Sequence, residues 1–363
     1  MKYRLFRKTA WLISALWGAA VAALALTLAP AAASATTFTQ VISDTTRDTD
    51  PAPSPDGKWI AFTSDRCGHG AAQIYIMPAE GGEARQLTDE PDSIRAGTPS
   101  WSPDGKSILF ISTRGRRYNV YSVPFEGGKP RQMTFSPGNN RFATYSADGK
   151  KIAFYSNRMR PTDLYGFNIY VMDSSGEREG DEWGRQVTNS RGSPGHPTWS
   201  ADGKWIAYVA KEFDSDRQQT MEGNILFTKY HLYKVPSQGG REIQLSKGLI
   251  GGQPIEDTWP SWSPDGKWIA VGRQIGPKRN VWVLDVATGK SFPITTSGDC
   301  IKPTWSYDSK SIYYSVVKDR NEDIWVARDL TLKSTAPSKG QPGKSKTGAR
   351  TTARKSPTRT TRR

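Results

Sequence analysis

Six times the chain repeats one phrase: a small or aromatic step ending in Ser, a tight turn around Asp, a Lys, and a short apolar run. The segments PAPSPDGKWIAFTSDR, PSWSPDGKSILFISTR, ATYSADGKKIAFYSNR, PTWSADGKWIAYVAKE, PSWSPDGKWIAVGRQI and PTWSYDSKSIYYSVVK begin at residues 51, 99, 143, 197, 260 and 303. Their turn aspartates, Asp56, Asp104, Asp148, Asp202, Asp265 and Asp308, are 48, 44, 54, 63 and 43 residues apart. A second echo follows each phrase, as in IYIMPAEGGEARQLT and VYSVPFEGGKPRQMT, and it is cut short to IWVARD after the last. Asp-Gly and Gly-Gly mark tight turns, because glycine accepts the positive φ such turns need. The runs between them are short and apolar, the pattern of strands buried on both faces. Each unit therefore reads as four strands. Repetition at this period predicts an all-β fold, a six-bladed β-propeller of four-stranded blades. The sixth unit lacks its fourth strand, and TTFTQVIS at 36–43 precedes the first unit without a partner. That segment is expected to supply the missing outer strand and close the ring, which removes an exposed sheet edge.

The ends differ in kind from the middle. Residues 1–35 open with Lys2, Arg4, Arg7 and Lys8, continue in an uncharged apolar run from Ala10 to Leu28, and finish in Ala33-Ser34-Ala35. This is the three-part pattern of a cleavable export signal, with an uncleaved anchor helix as the other reading. Residues 333–363 hold ten Lys or Arg, no acid and hardly any apolar side chains, and a disordered tail is expected there. The chain carries 50 bases and 35 acids, a formal charge of +15, but removing the two ends leaves 36 bases against 35 acids. Groove-binding nucleic-acid proteins wear their charge on the fold, so no nucleic-acid partner is expected. The propeller is assigned to residues 36–332. The tail suits an anionic envelope polymer or lipid surface, at about 1 kcal/mol per base near such a surface. A monomer, exported to the periplasm or beyond, is the expected state.

The tandem WSPDGK-x-IAF units, each followed by an IY-x-M, GG and RQLT echo, resemble the WD-like propeller repeats of the TolB family over residues 51–329. The resemblance implies an extracytoplasmic, protein-binding role in the cell envelope. TolB has an α/β domain ahead of its propeller, and such a domain is expected to be lacking here. Similar repeats occur in propellers attached to serine peptidases and in lyases of acidic oligosaccharides that hold a metal with several histidines. A carbohydrate-active lyase or hydrolase with its site at the propeller mouth is therefore the competing reading.

The residues favour binding over catalysis. His69, His196 and His231 are the only histidines, and neither a G-x-S-x-G elbow nor an H-E-x-x-H motif is present. No catalytic residue, cofactor or metal is assigned. Asp48-Thr49-Asp50 and Asp214-Ser215-Asp216 read as calcium-type or solvated turns. Tryptophans recurring at one repeat position, such as Trp101, Trp199, Trp262 and Trp305, read as packing between blades. The long connections fall on the rim opposite the Asp-Gly turns, with the largest insertion at 210–231, and such loops are where partner contacts concentrate. Ten residues after the turn Asp stand Arg66, Arg114, Arg158 and Lys318. They form either a basic collar at the channel mouth or internal pairs with loop acids such as Asp50, Asp92 or Asp257. Six residues before the turn Asp stand Asp50, Thr98, Phe142, His196, Trp259 and Lys302, a chemically mixed set suited to protein or peptide recognition. Cys67 and Cys300 fall on the same rim of neighbouring blades, so a disulfide that staples the closure is expected, with two free thiols as the other reading.

Overall fold

A computed structural model describes residues 35–333, except 69–70, 92, 164–165, 178–182, 191, 212–228 and 320. Residues 1–34 of the expected export signal, the stretch beyond 333, His69, Asp92, residues 214–216 and most of the 210–231 insertion lie outside the described residues. Among the described residues no helix is long and apolar enough to cross a membrane.

Six antiparallel sheets follow one another along the chain. Their innermost strands are Asp48–Pro53, Ala96–Trp101, Asn140–Tyr145, Gly195–Trp199, Gln253–Trp262 and Asp299–Trp305. The sixth sheet is completed by Thr37–Gln40, which pairs antiparallel with the strand Asn321–Arg328 in the register Thr37 to Arg328 and Gln40 to Trp325. The closing strand thus arrives from the N-terminal side, as the sequence predicts. Four strands per blade hold for five blades. The fifth has an additional strand, Leu249–Ile250, hairpinned onto the start of its long inner strand, a consequence of the Gly251-Gly252 turn that both residues cross with positive φ.

The repeated Ser-x-Asp-Gly-Lys phrase builds the same turn in every blade. In the first, Ser54 Oγ donates to Asp56 Oδ1 at 2.6 Å, that oxygen also accepts from the Lys58 amide at 3.1 Å, and the Trp59 amide donates back to Ser54 Oγ at 3.0 Å. These hydrogen bonds hold the Asp56 carboxyl below its ordinary range, the serine hydroxyl contributing most. In the sixth blade Ser309 replaces glycine and takes the same positive φ, 59°.

Every blade presents apolar side chains on both faces, and six apolar clusters each join one blade to the next. In one, Ala61, Ile74 and Ile76 of the first blade meet Trp101, Ile108 and Phe110 of the second. In another, Tyr313, Ile324 and Val326 of the sixth meet Ile60, Phe62 and Met77 of the first. Full burial of each such side chain contributes about 1.5–3 kcal/mol. The repeat tryptophans sit in these seams, as expected. The indole of Trp101 also donates to the Ala52 carbonyl of the preceding blade at 2.8 Å, and that of Trp199 to the Thr144 carbonyl at 3.2 Å.

The fourth-strand Arg-Gln pairs have a use that the sequence did not disclose. Arg85 donates to the Phe125 carbonyl of the next blade at 2.7 Å, Arg131 to Ser175 at 2.6 Å, and Arg185 to Gln238 at 2.7 Å. The following glutamines accept from strand tyrosines, as Gln86 does from Tyr75 at 2.9 Å. Each of these three outer strands, two residues long, is thereby clasped to both its own blade and the next.

Deleting residues 36–43 removes the closing strand together with Val41 and Ile42, which pack against the sixth-to-first seam. The deletion variant is expected to melt at lower temperature in a broadened transition by circular dichroism. Unchanged melting would contradict the closure.

Candidate functional site at the channel

Each innermost strand breaks register once against its neighbour, between Thr49 and Ala52, Gly97 and Ser100, Arg141 and Thr144, Gly195 and Thr198, Thr258 and Ser261, and Ile301 and Thr304. The first residue of each bulge is left-handed: Asp50 (φ 55°), Thr98 (53°), Phe142 (49°), His196 (55°), Trp259 (48°) and Lys302 (53°). No glycine occupies any of the six, although such a conformation costs a non-glycine residue about 1–3 kcal/mol. Proline follows in five cases and Ala143 in the sixth, and proline is at home in a bulge because it has no amide to leave unpaired. A bulge re-aims the side chain it carries. Here all six line one cavity on the channel axis, each of them half-buried.

The six side chains form a girdle divided by chemistry. On the third to fifth blades, Phe142 and His196 have ring centroids 4.2 Å apart, and His196 and Trp259 5.9 Å, with Tyr155 stacked behind Phe142 at 5.5 Å. On the sixth and first blades, Lys302 Nζ lies 3.2 Å from Asp50 and 3.5 Å from Glu322, and donates to Thr49 Oγ1 at 2.6 Å. Arg47 pairs with Glu322 from the far side, and the Lys302 charge holds the Glu322 carboxyl down against the upward push of burial. Lys302 also lies 5.9 Å from the centre of the Trp259 ring, joining the two halves.

Burial pushes the His196 imidazole down to about 3, helped by the positive charge of Lys302. The ring is neutral at physiological pH, and its Nδ1 has no hydrogen-bond partner among the described residues.

Below the girdle a cup of about 390 Å³ runs along the inner strands and opens between the Asp-Gly turns, where exposed Ala147, Ala201, Pro264 and Tyr307 form its lip. The girdle therefore separates the long-loop rim from the cup. Sequence reasoning placed the mixed residues near a mouth but missed their common left-handed geometry. The proline after five of them was the available signal.

The structure brings Asp50, Phe142, His196 and Trp259 together and places the arginines elsewhere. Arg66, Arg114 and Arg158 stand one strand farther from the axis, in internal pairs. Arg66 meets Asp48 at 2.8 Å and Asp44 at 3.3 Å, Arg114 meets Glu90 at 2.5 Å, and Arg158 meets Glu177 at 2.6 Å and Asn140 at 3.0 Å. Their acids are not those singled out from sequence. Asp50 is taken by Lys302, and Asp257 pairs with Arg273 at 2.6 Å. Arg273 stands two residues earlier in its repeat than the other arginines, because the second strand of the fifth blade runs on to Ile275. Lys318 is exposed at the end of its strand.

The expected Cys67–Cys300 disulfide is absent, and both thiols are free. Cys300 packs between the fifth and sixth blades with Trp268, Trp305 and Tyr314, donating to the Ser297 carbonyl at 3.3 Å. Cys67 donates to the Ala71 carbonyl at 3.1 Å within a first-blade loop. Cys300 thus lies in the seam between the fifth and sixth blades and Cys67 in a loop of the first, although the sixth and first blades adjoin. Among the described residues no group of three His, Cys, Asp or Glu is placed to hold a metal ion.

Two outcomes follow. Between pH 6.5 and about 3 the unfolded chain binds a proton at His196 that the folded chain does not. Stability from this group is full above pH 6.5 and falls by about 1.4 kcal/mol per pH unit as pH drops through that window. His196→Phe should therefore gain stability relative to the parent on going from pH 6.5 to 4, read by urea denaturation at each pH. A constant difference would contradict a buried, neutral imidazole. The Arg158–Glu177 pair is buried on both sides, so Arg158→Met leaves an uncompensated carboxylate and should cost about 3–5 kcal/mol by the same measurement. An unchanged midpoint would contradict its structural role.

Comparison with known proteins agrees with this architecture. The profile of the TolB beta propeller domain matches residues 69–178. An uncharacterized protein of Agrobacterium fabrum is 30% identical over 223 residues, covering 61% of this chain and 68% of that protein. Dipeptidyl-peptidase 5 of Porphyromonas gingivalis is 28% identical over 334 residues, covering 79% of this chain but 47% of the peptidase. The chain thus spans about half the length of that relative. Among solved structures, a putative TolB from Agrobacterium tumefaciens superimposes with a TM-score of 0.58 at 18% identity, over 81% of this chain and 97% of that one. Repeats, closed ring and comparisons converge on a TolB-like β-propeller, with the TolB beta propeller domain matched over residues 69–178.

Proposed function

We propose that this protein is an exported, non-enzymatic propeller of the cell envelope that captures a protein partner on the loop-rim side of its girdle. The observation that carries the reading is the girdle itself. One backbone geometry recurs six times, and it presents six different side chains, from Asp50 and Lys302 to Phe142 and Trp259. A site for one small repeated chemistry would favour repeated residues, whereas a mixed apolar and ionic surface suits an extended segment with both kinds of side chain. Aromatic anchors held by a rigid scaffold are the usual centres of such interfaces. The single carboxylate lining the cup among the described residues, Asp50, is committed to Lys302, which supports binding over acid-base chemistry. Export rests on the leader pattern of residues 1–35, and the basic stretch 333–363 supports retention near an anionic envelope surface.

The test is affinity capture from envelope extracts with the parent and with Trp259→Ala and Phe142→Ala. Losing an aromatic anchor costs about 2 kcal/mol or more, so recovery of the partner should drop at least about tenfold. Equal recovery by all three proteins would overturn the reading.

A further inference from the structure

We propose that the cup below the girdle, whose upper wall is the aromatic half of that girdle, is a second site that takes an uncharged pyranose ring. Two positions after each bulge residue the inner strands carry Ala52, Ser100, Thr144, Thr198, Ser261 and Thr304, and all six line the cup. Five of them are hydroxyls on one level of the channel. Thr198 Oγ1 accepts from the Trp262 amide at 3.1 Å and Ser261 Oγ from the Trp305 amide at 3.2 Å, which leaves both hydroxyls with a proton to donate. Hydroxyl side chains on five of the six inner strands offer donor and acceptor capacity to one cavity, which suits a ligand rich in donors and acceptors.

The other walls narrow the ligand's chemistry. Phe142, His196 and Trp259 offer contiguous aromatic surface on three adjacent blades, which suits a ligand with one apolar face. The charges in the cup are already spent, since Lys302 is held by Asp50 and Glu322 and His196 is neutral. A carboxylate or an ammonium entering the cup would lose its hydration and gain no counter-charge. A volume of about 390 Å³ falls in the range of small-molecule sites, about 300–1,000 Å³. Dense hydroxyls, one apolar face, no net charge and this size describe a neutral sugar ring.

The experiment is saturation-transfer NMR, with calorimetric titration, on the purified protein. The probes are glucose and N-acetylglucosamine, with glucuronate and glucosamine as charged counterparts. At least one neutral sugar should bind in the millimolar range, at least about tenfold more tightly than either charged one. Thr144→Val, which keeps the side chain's shape and removes one cup hydroxyl, should weaken that binding about fivefold or more. The same variant should melt as the parent does and still capture the envelope partner. Absence of transfer from both neutral sugars would overturn the proposal, as would equal binding of glucuronate or binding unaffected by Thr144→Val. Sugar binding can fail while partner capture still depends on Trp259, so failure here is distinguishable from failure of the protein-binding reading.

Discussion

The apolar seam between neighbouring blades is the interaction on which everything else depends. A sheet with apolar side chains on both faces has no stable existence alone in water, and each blade here buries its two faces only against the blades beside it. Six such seams form a ring, and the ring is complete only when Thr37–Gln40 joins the last sheet. The Arg-Gln clasps and the seam tryptophans add polar bonds where the backbone would otherwise be unpartnered. Rigidity at the axis follows, because inner strands fixed by two seams each can hold six left-handed bulges against their cost.

That rigidity separates two uses of polar residues. One strand out from the axis, Arg66, Arg114, Arg158 and Arg273 each meet a buried carboxylate, and their charges are consumed inside the blades. At the axis, the bulges free the side chain from the ladder, so its identity can vary without disturbing the fold. The result is a girdle with an aromatic half on the third to fifth blades and an ionic half on the sixth and first. The ionic half also lies on the closure seam, where Lys302 of the last blade meets Asp50 of the first.

Blade number, strand order, the closing strand and the seam tryptophans were all legible in the sequence, because they follow from periodicity and from turn residues whose φ requirements are local. The pairing of the arginines was not. Asp48 shares its place, eight residues before the turn Asp, with Asn140 and Asp257, but Ala96, Pro194 and Cys300 fill it in the other blades and Glu90 stands in an irregular loop, so the repeat offers no single partner for the arginines. The Cys67–Cys300 expectation failed for a related reason: sequence placed both residues on one rim but not the direction of their side chains. The mixed set at the girdle was visible as an oddity among repeats. Its meaning waited on φ values and on the one cavity that the six side chains share, which only coordinates supply.

The central claim is that recognition occurs on the channel axis and not on the blades' outer edges. Photo-crosslinking tests it most directly, with a benzoylphenylalanine placed at Trp259 in one protein and at Ile243, on the exposed outer strand of the fourth blade, in another. Irradiation in envelope extract should give a discrete adduct from position 259 and none from position 243. An adduct from 243 alone would contradict the account.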